Sequence, residues 1–162
     1  MQIIPVKDFF FWEKQLLSKG GDIKALNLLL DVVGGISHEK LNTIRFNREG
    51  NLLLRNKIDF IESIWEDHLI NSVPIQYLCG FTYWRDLKLM VSEKVLIPRP
   101  ETEIIIDIIL DLFNEDYNQL LFAELGTGSG AISIALSLAY PFCQGIATDI
   151  DQDALEIAFK NF

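Results

Sequence analysis

Five residues, Gly126-Thr127-Gly128-Ser129-Gly130, constrain the fold of this chain more than any other stretch. They stand between an apolar run, Leu120–Leu125, and a run of small and aliphatic residues, Ala131–Ala139. A short apolar run ended by glycine reads as a strand, and the second run as a compact helix ended by Pro141. Gly145–Asp149 gives another strand, and Asp151 is placed to cap a final helix, Asp153–Phe162. Strand, turn, helix, strand and helix in that order open a doubly wound α/β sheet. Two strands and three helices do not cover both faces of a parallel sheet, which needs a layer on each side.

The turn also suggests chemistry. Gly126 and Gly128 let the backbone approach a ligand, because no Cβ intrudes. Nucleotide-binding units of this kind place an acid on the ribose hydroxyls about 20 residues later. Asp149 stands 23 positions past Gly126, at the C-terminal end of the second strand. The pair signals a nucleoside-containing cofactor; the plainer reading is a glycine turn beside a surface acid. The spacing is G-x-G-x-G, not the dinucleotide fingerprint G-x-G-x-x-G. Glu124, two residues before Gly126, would repel a pyrophosphate but suits an ammonium. S-adenosylmethionine carries an ammonium, a sulfonium and a ribose without phosphate, so two acids fit it better than NAD.

The first 70 residues read as helices. Val6–Lys19 is ended by Gly20–Gly21, and Asp22 is placed to cap a second helix striped by Ile23, Leu26, Leu29, Leu30 and Val33. Gly34–Gly35 breaks it, and Ser37 opens a third helix through Ile44. Residues 55–70 form a fourth, with Ile58, Ile61, Ile64 or Trp65, and Leu69 on one face. No strand is expected here. From Ile75 to Ile97 extended residues suggest a β-hairpin with turns near Gly80 and Ser92–Lys94. Pro98-Arg99-Pro100 fixes an extended turn before a helix that begins with Glu101 and Glu103. That helix is so rich in isoleucine and leucine that burial on most sides is expected. Glu103, Asp107 and Asp111 form its polar stripe, in which like charges repel slightly. A polar break, Asn114–Gln119, follows. The expected organisation is a helical substrate-docking domain (1–73), a β-hairpin linker (74–97) and an incomplete α/β domain (98–162).

Charge narrows the classes. The net charge of −9 arises after residue 97, where Arg99 and Lys160 face 11 carboxylates. A duplex binder needs a basic face, so direct nucleic-acid binding is not expected. No apolar run reaches the roughly 18 residues of a membrane span, and the N-terminus does not read as a signal peptide. Cys79 and Cys143 have no metal-ligand or disulfide spacing and read as reduced, buried thiols. His38 and His68 lack partners at catalytic spacing. Trp65 and Phe9–Trp12 read as core.

Three strings carry a resemblance: Pro74-Ile75-Gln76-Tyr77-Leu78-Cys79-Gly80, Val95-Leu96-Ile97-Pro98-Arg99-Pro100-Glu101-Thr102-Glu103, and Glu124-Leu125-Gly126-Thr127-Gly128-Ser129-Gly130-Ala131-Ile132. Together they resemble the motif series of the protein-(glutamine-N5) methyltransferases that act on peptide chain release factors. Asp149, Ala154-Leu155 and Asn161 also sit where that family has its acidic second motif and following helix. The resemblance covers 74–162, and the N-terminal helices are similar in kind to the family's small helical domain.

It implies a Rossmann-like methyltransferase sheet and S-adenosylmethionine held by Gly126, Thr127, Gly128, Ser129 and Gly130, with Asp149 on the ribose hydroxyls. Glu124 stands where the family more often has Asp and makes the same contact with a longer reach. Arg99 is expected to hold the Ile-Pro-Arg-Pro-Glu loop to the sheet rather than to touch substrate. The family's target glutamine is held by an Asn-Pro-Pro-Tyr motif that does not occur in these 162 residues. An amide nitrogen is a poor nucleophile, so catalysis must come mainly from positioning it in a dry pocket. The parent protein is therefore expected to methylate a release-factor glutamine in the cytoplasm, as a monomer and without metal. The 162 residues alone are expected to be inactive, and no catalytic residue is assigned among them. Alternatives are a non-catalytic release-factor-binding module, or a methyltransferase acting on another protein or a nucleic-acid amine.

Overall fold

The computed structural model describes residues 1–113 and 120–162. The polar break at Asn114–Gln119 lies outside the described residues. The chain folds as two compact units, Met1–Cys79 and Gly80–Phe162.

The first unit holds a strand pair as well as helices. β1 (Gln2–Pro5) leads directly into α1 (Val6–Ser18), followed by α2 (Ile23–Leu29), a single π-type turn at Leu30–Gly34, and α3 (His38–Phe46). β2 (Asn51–Leu54), α4 (Ile58–Ile70) and α5 (Ile75–Cys79) complete it. The caps read from the sequence form: Asp22 accepts the Lys24 N–H at 2.8 Å and Ser37 the Lys40 N–H at 3.2 Å. Phe9, Leu16, Leu26, Leu41, Ile61 and Trp65 are buried together, and the indole N–H of Trp65 donates to the Leu16 carbonyl at 3.2 Å. Trp12 is also buried and donates to Glu62 at 2.7 Å, whereas Phe11 lies in solvent.

The all-helical expectation for this half is corrected by β1 and β2. They pair antiparallel, Gln2 opposite Leu54 and Pro5 opposite Asn51. Ile4, Leu52 and Leu54 enter the core while Ile3 and Leu53 face out. Three leucines in a row carry no period-two signal, so the alternation is imposed by the partner strand some 50 positions away. The expected extended segment from Ile75 also needs correction: its first residues form α5, a single helical turn and a half.

The second unit opens with β3 (Phe81–Trp84) and β4 (Leu87–Met90), the expected hairpin. Its turn falls at Arg85-Asp86, with Arg85 at φ 49°, the left-handed backbone that two-residue hairpin loops demand of their first residue. A 3₁₀ turn, Pro100–Thr102, precedes α6 (Glu103–Leu112); then come β5 (Leu121–Leu125), α7 (Ala131–Ala139), β6 (Gln144–Thr148) and α8 (Gln152–Asn161). β5 and β6 pair in parallel, Leu121 beside Gln144 and Leu125 beside Thr148, with α7 as the crossover.

Trp84, Leu89, Ile106, Ile134, Leu136 and Tyr140 form the core of this unit. The Phe122 ring lies against Gly145, where any Cβ would overlap it. The opposite face of the two-stranded sheet is open: Leu121, Leu125 and Ile146 are 73%, 83% and 67% exposed. Parallel sheets are normally covered on both faces. The expectation that α6 is buried on most sides is corrected as well. Ile106 alone is buried there, and Ile104, Ile108 and Leu112 are exposed, because the helix meets the core along one face.

Candidate functional site

The glycine turn is built by hydrogen bonds rather than by packing. Gly126 and Gly128 sit at φ 79° and 54°, and a Cβ on either would meet nothing within 4 Å. Only glycine adopts such backbone without strain, and the room beside it is open. The N–H groups of Gly126 and Thr127 both donate to the Thr148 carbonyl, at 2.8 and 2.9 Å, which ties the turn to the tip of β6. The Gly130 N–H closes it on the Thr127 carbonyl at 2.9 Å.

Asp149 follows β6 and bridges two loops. Its Oδ2 accepts the Gly128 N–H at 2.8 Å and its Oδ1 the Asp151 N–H at 3.0 Å. The N–H groups of Asp151, then Gly128, then Ile150 hold its carboxyl below the ordinary value of 3.8, as main-chain donors do for a carboxylate. The acid 23 positions past Gly126 thus lies directly against the turn.

Glu124 is turned toward α7. Its Oε2 accepts the Thr127 hydroxyl at 2.8 Å, the Ser133 N–H at 3.1 Å and the Ser133 hydroxyl. One carboxylate oxygen is therefore engaged in the fold. Ser129 and Thr127 are buried. All seven residues singled out for the cofactor, Glu124, Gly126–Gly130 and Asp149, converge on the ends of β5 and β6. A cavity of about 600 Å³ lies beside the turn along α8, lined by Thr127, Ala147, Leu155, Ala158 and Phe159 among others. Gly126, Gly128 and Asp149 lie outside its lining.

Other anticipated residues stand elsewhere. Arg99 anchors its loop through the main chain: its carbonyl accepts the Trp84 indole N–H at 2.9 Å, and the residue itself is exposed. His68 bonds the Val73 carbonyl at 2.6 Å and His38 meets Asn42 at 3.3 Å. Cys79 is buried, its thiol pushed up to about 12 by desolvation, and Cys143 is half-buried. Among the described residues no cluster of three or more His, Cys, Asp or Glu could hold a metal ion. Among them no helix is long and apolar enough to cross a membrane.

Two residues gain importance only in three dimensions. Arg85, at the hairpin turn, pairs with Asp107 at 2.7 Å and donates to the Glu103 carbonyl at 3.3 Å. It offsets the repulsion expected along the acidic stripe of α6. Ser133 fixes Glu124; a hydroxyl two residues into a helix, on the side facing an acid at the preceding strand's end, was the available signal.

Fold and site together define a Rossmann-like α/β unit with a glycine turn and an acid at the adjoining strand tip. No protein-family model matches the chain. Among curated proteins it is 39% identical over 156 residues to a release factor glutamine methyltransferase of Prochlorococcus marinus, covering 96% of this chain and 53% of the relative. It is 33% identical to the protein of that name from Gloeobacter violaceus, covering 93% of this chain and 52% of the relative. Against the protein of that name from Lactococcus lactis the identity is 47% over 88 residues, 54% of this chain and 32% of the relative. The chain spans about half the length of the first two relatives. Over that span it belongs to the release factor glutamine methyltransferase family.

Proposed function

We propose that the protein transfers a methyl group from S-adenosylmethionine to the side-chain amide of a glutamine in a peptide chain release factor, in the cytoplasm. The observation that carries this reading is the Gly126–Gly130 turn, bonded through Gly128 to Asp149, in a chain akin to enzymes of that name. When bound, S-adenosylmethionine supplies an electrophilic methyl group on a sulfonium. The residues fit it. The open, left-handed glycines offer close main-chain approach, and the two acids suit an ammonium and a ribose diol rather than a pyrophosphate. Asp149 keeps its charge through neutral pH and has lone pairs free to accept ribose hydroxyls. Glu124 turns one oxygen to the fold, and its carboxylate meets the ammonium.

These 162 residues contain the cofactor turn without the Asn-Pro-Pro-Tyr string that the resemblance implies for holding the glutamine amide. Assayed alone with labelled S-adenosylmethionine and a release factor, they should give cofactor binding without turnover. A polypeptide extended by the second half of a relative should give both. Labelling of the release factor by the 162 residues alone would refute the division. Binding of NAD in preference to S-adenosylmethionine would refute the cofactor.

A further inference from the structure

We propose that Asn161 is a positioning residue for the glycine turn, locking it through Ser129 to the β3–β4 hairpin. The ligand in this proposal rests on the cofactor reading above; the geometry does not.

The Asn161 carboxamide makes three hydrogen bonds. Its Nδ2 donates to the Ser129 carbonyl at 2.8 Å and to the Met90 carbonyl at 3.0 Å. Its Oδ1 accepts the Met90 N–H at 2.7 Å. The side chain thus treats Met90, the last residue of β4, as a neighbouring strand would, satisfying both of its main-chain groups. The remaining amide hydrogen reaches the turn. A planar group with one acceptor and two donors is required, which asparagine supplies. Aspartate keeps the acceptor but has no N–H to give. α8 delivers the group: Ala154, Ala158 and Asn161 fall on one face at i, i+4 and i+7, and the two alanines are buried.

The turn needs such a tie. Gly126 and Gly128 have no side chain to pack, and nothing stands beside the position of a Cβ. Their other bonds run to Thr148 and Asp149, on the β6 side of the turn, and Gly130 bonds within the turn to Thr127. Asn161 supplies the restraint from α8 and the hairpin. A preorganised turn binds its ligand more tightly than a loose one.

The test uses the 162-residue chain, Asn161→Ala and Asn161→Asp, each titrated with S-adenosylmethionine by calorimetry and followed by amide hydrogen exchange. Both variants should bind about tenfold more weakly, the equivalent of one lost hydrogen bond. Exchange at Gly128 and Gly130 should accelerate more than in β5 and β6. A merely stabilising residue would raise exchange evenly through the unit, and that result overturns the proposal, as does unchanged affinity. If the native chain gives no heat with S-adenosylmethionine, the cofactor reading fails, and exchange at Gly128 and Gly130 still decides the positioning claim. Should Asn161→Ala not fold, the size-matched Asn161→Asp carries the comparison; collapse of both assigns Asn161 to stability alone and overturns the proposal.

Discussion

The N–H of Gly128 donates to Oδ2 of Asp149 at 2.8 Å, so the carboxylate at the tip of β6 and the glycine turn after β5 form one unit. The acid orders the turn and, in the proposed function, also meets the ribose. These two duties predict a linked loss in Asp149→Asn. The amide presents one oxygen where the carboxylate presented two, and its NH₂ faces a main-chain N–H. Calorimetry with S-adenosylmethionine should show no measurable heat, while the far-UV spectrum stays native.

The same carboxylate sets a pH dependence. Main-chain N–H groups lower its pKa in the folded chain, so folding favours the charged form. Its stabilising effect is complete above the unfolded value and is lost as pH falls through the lower folded value. The difference in melting temperature between the native chain and Asp149→Asn should hold steady from neutral pH to the ordinary carboxylate range and close below it. A difference that closed near neutral pH would assign the effect to another group.

Gly128→Ala separates folding from binding. The backbone there is left-handed, at a cost of roughly 1–2 kcal/mol for a residue with a Cβ, but the added methyl meets no atom within 4 Å. The chain should remain folded with a modest fall in melting temperature. The methyl occupies the space through which a ligand approaches the main chain, so S-adenosylmethionine affinity should fall far more than stability. Equal losses of both would place the ligand elsewhere.

Burial divides the two cysteines. The Cys79 thiol sits in the core of the first unit with its pKa raised to about 12, so thiolate is scarce at pH 8. Cys143 is half-buried. Brief iodoacetamide treatment of the folded chain, read by mass spectrometry, should label Cys143 first and reach Cys79 only on unfolding. Labelling in the reverse order would contradict the packing around Cys79.

The geometry of the candidate site was legible in the sequence because local chemistry determines it. Glycines that need positive φ, an acid at a fixed distance and a helix cap at Asp151 all act within a few residues of themselves or through one strand pairing. What depended on distant partners was hidden. Arg85 is unremarkable until the hairpin lays it beside Asp107, and the apolar surplus of α6 does not reveal which single isoleucine meets the core. Asn161 left a faint trace, a polar residue continuing the Ala154–Ala158 stripe, since a carboxamide on a packing face must find partners.

The strands of the first unit are the sharpest case, and they yield a direct test. Leu52, Leu53 and Leu54 are chemically identical, yet pairing with β1 buries Leu54 completely and leaves Leu53 57% exposed. Leu54→Ala removes a packed side chain and should cost about 2–5 kcal/mol. Leu53→Ala removes one already in water and should stay within about 0.5 kcal/mol of the native chain. Chemical denaturation of the two variants measures the contrast. A helix through this stretch would turn each successive residue by about 100° and would not place Leu52 and Leu54 together on the face opposite Leu53. Comparable losses at Leu53 and Leu54, or a larger one at Leu53, would therefore remove the register of Ile3 against Leu53 and with it the strand pair.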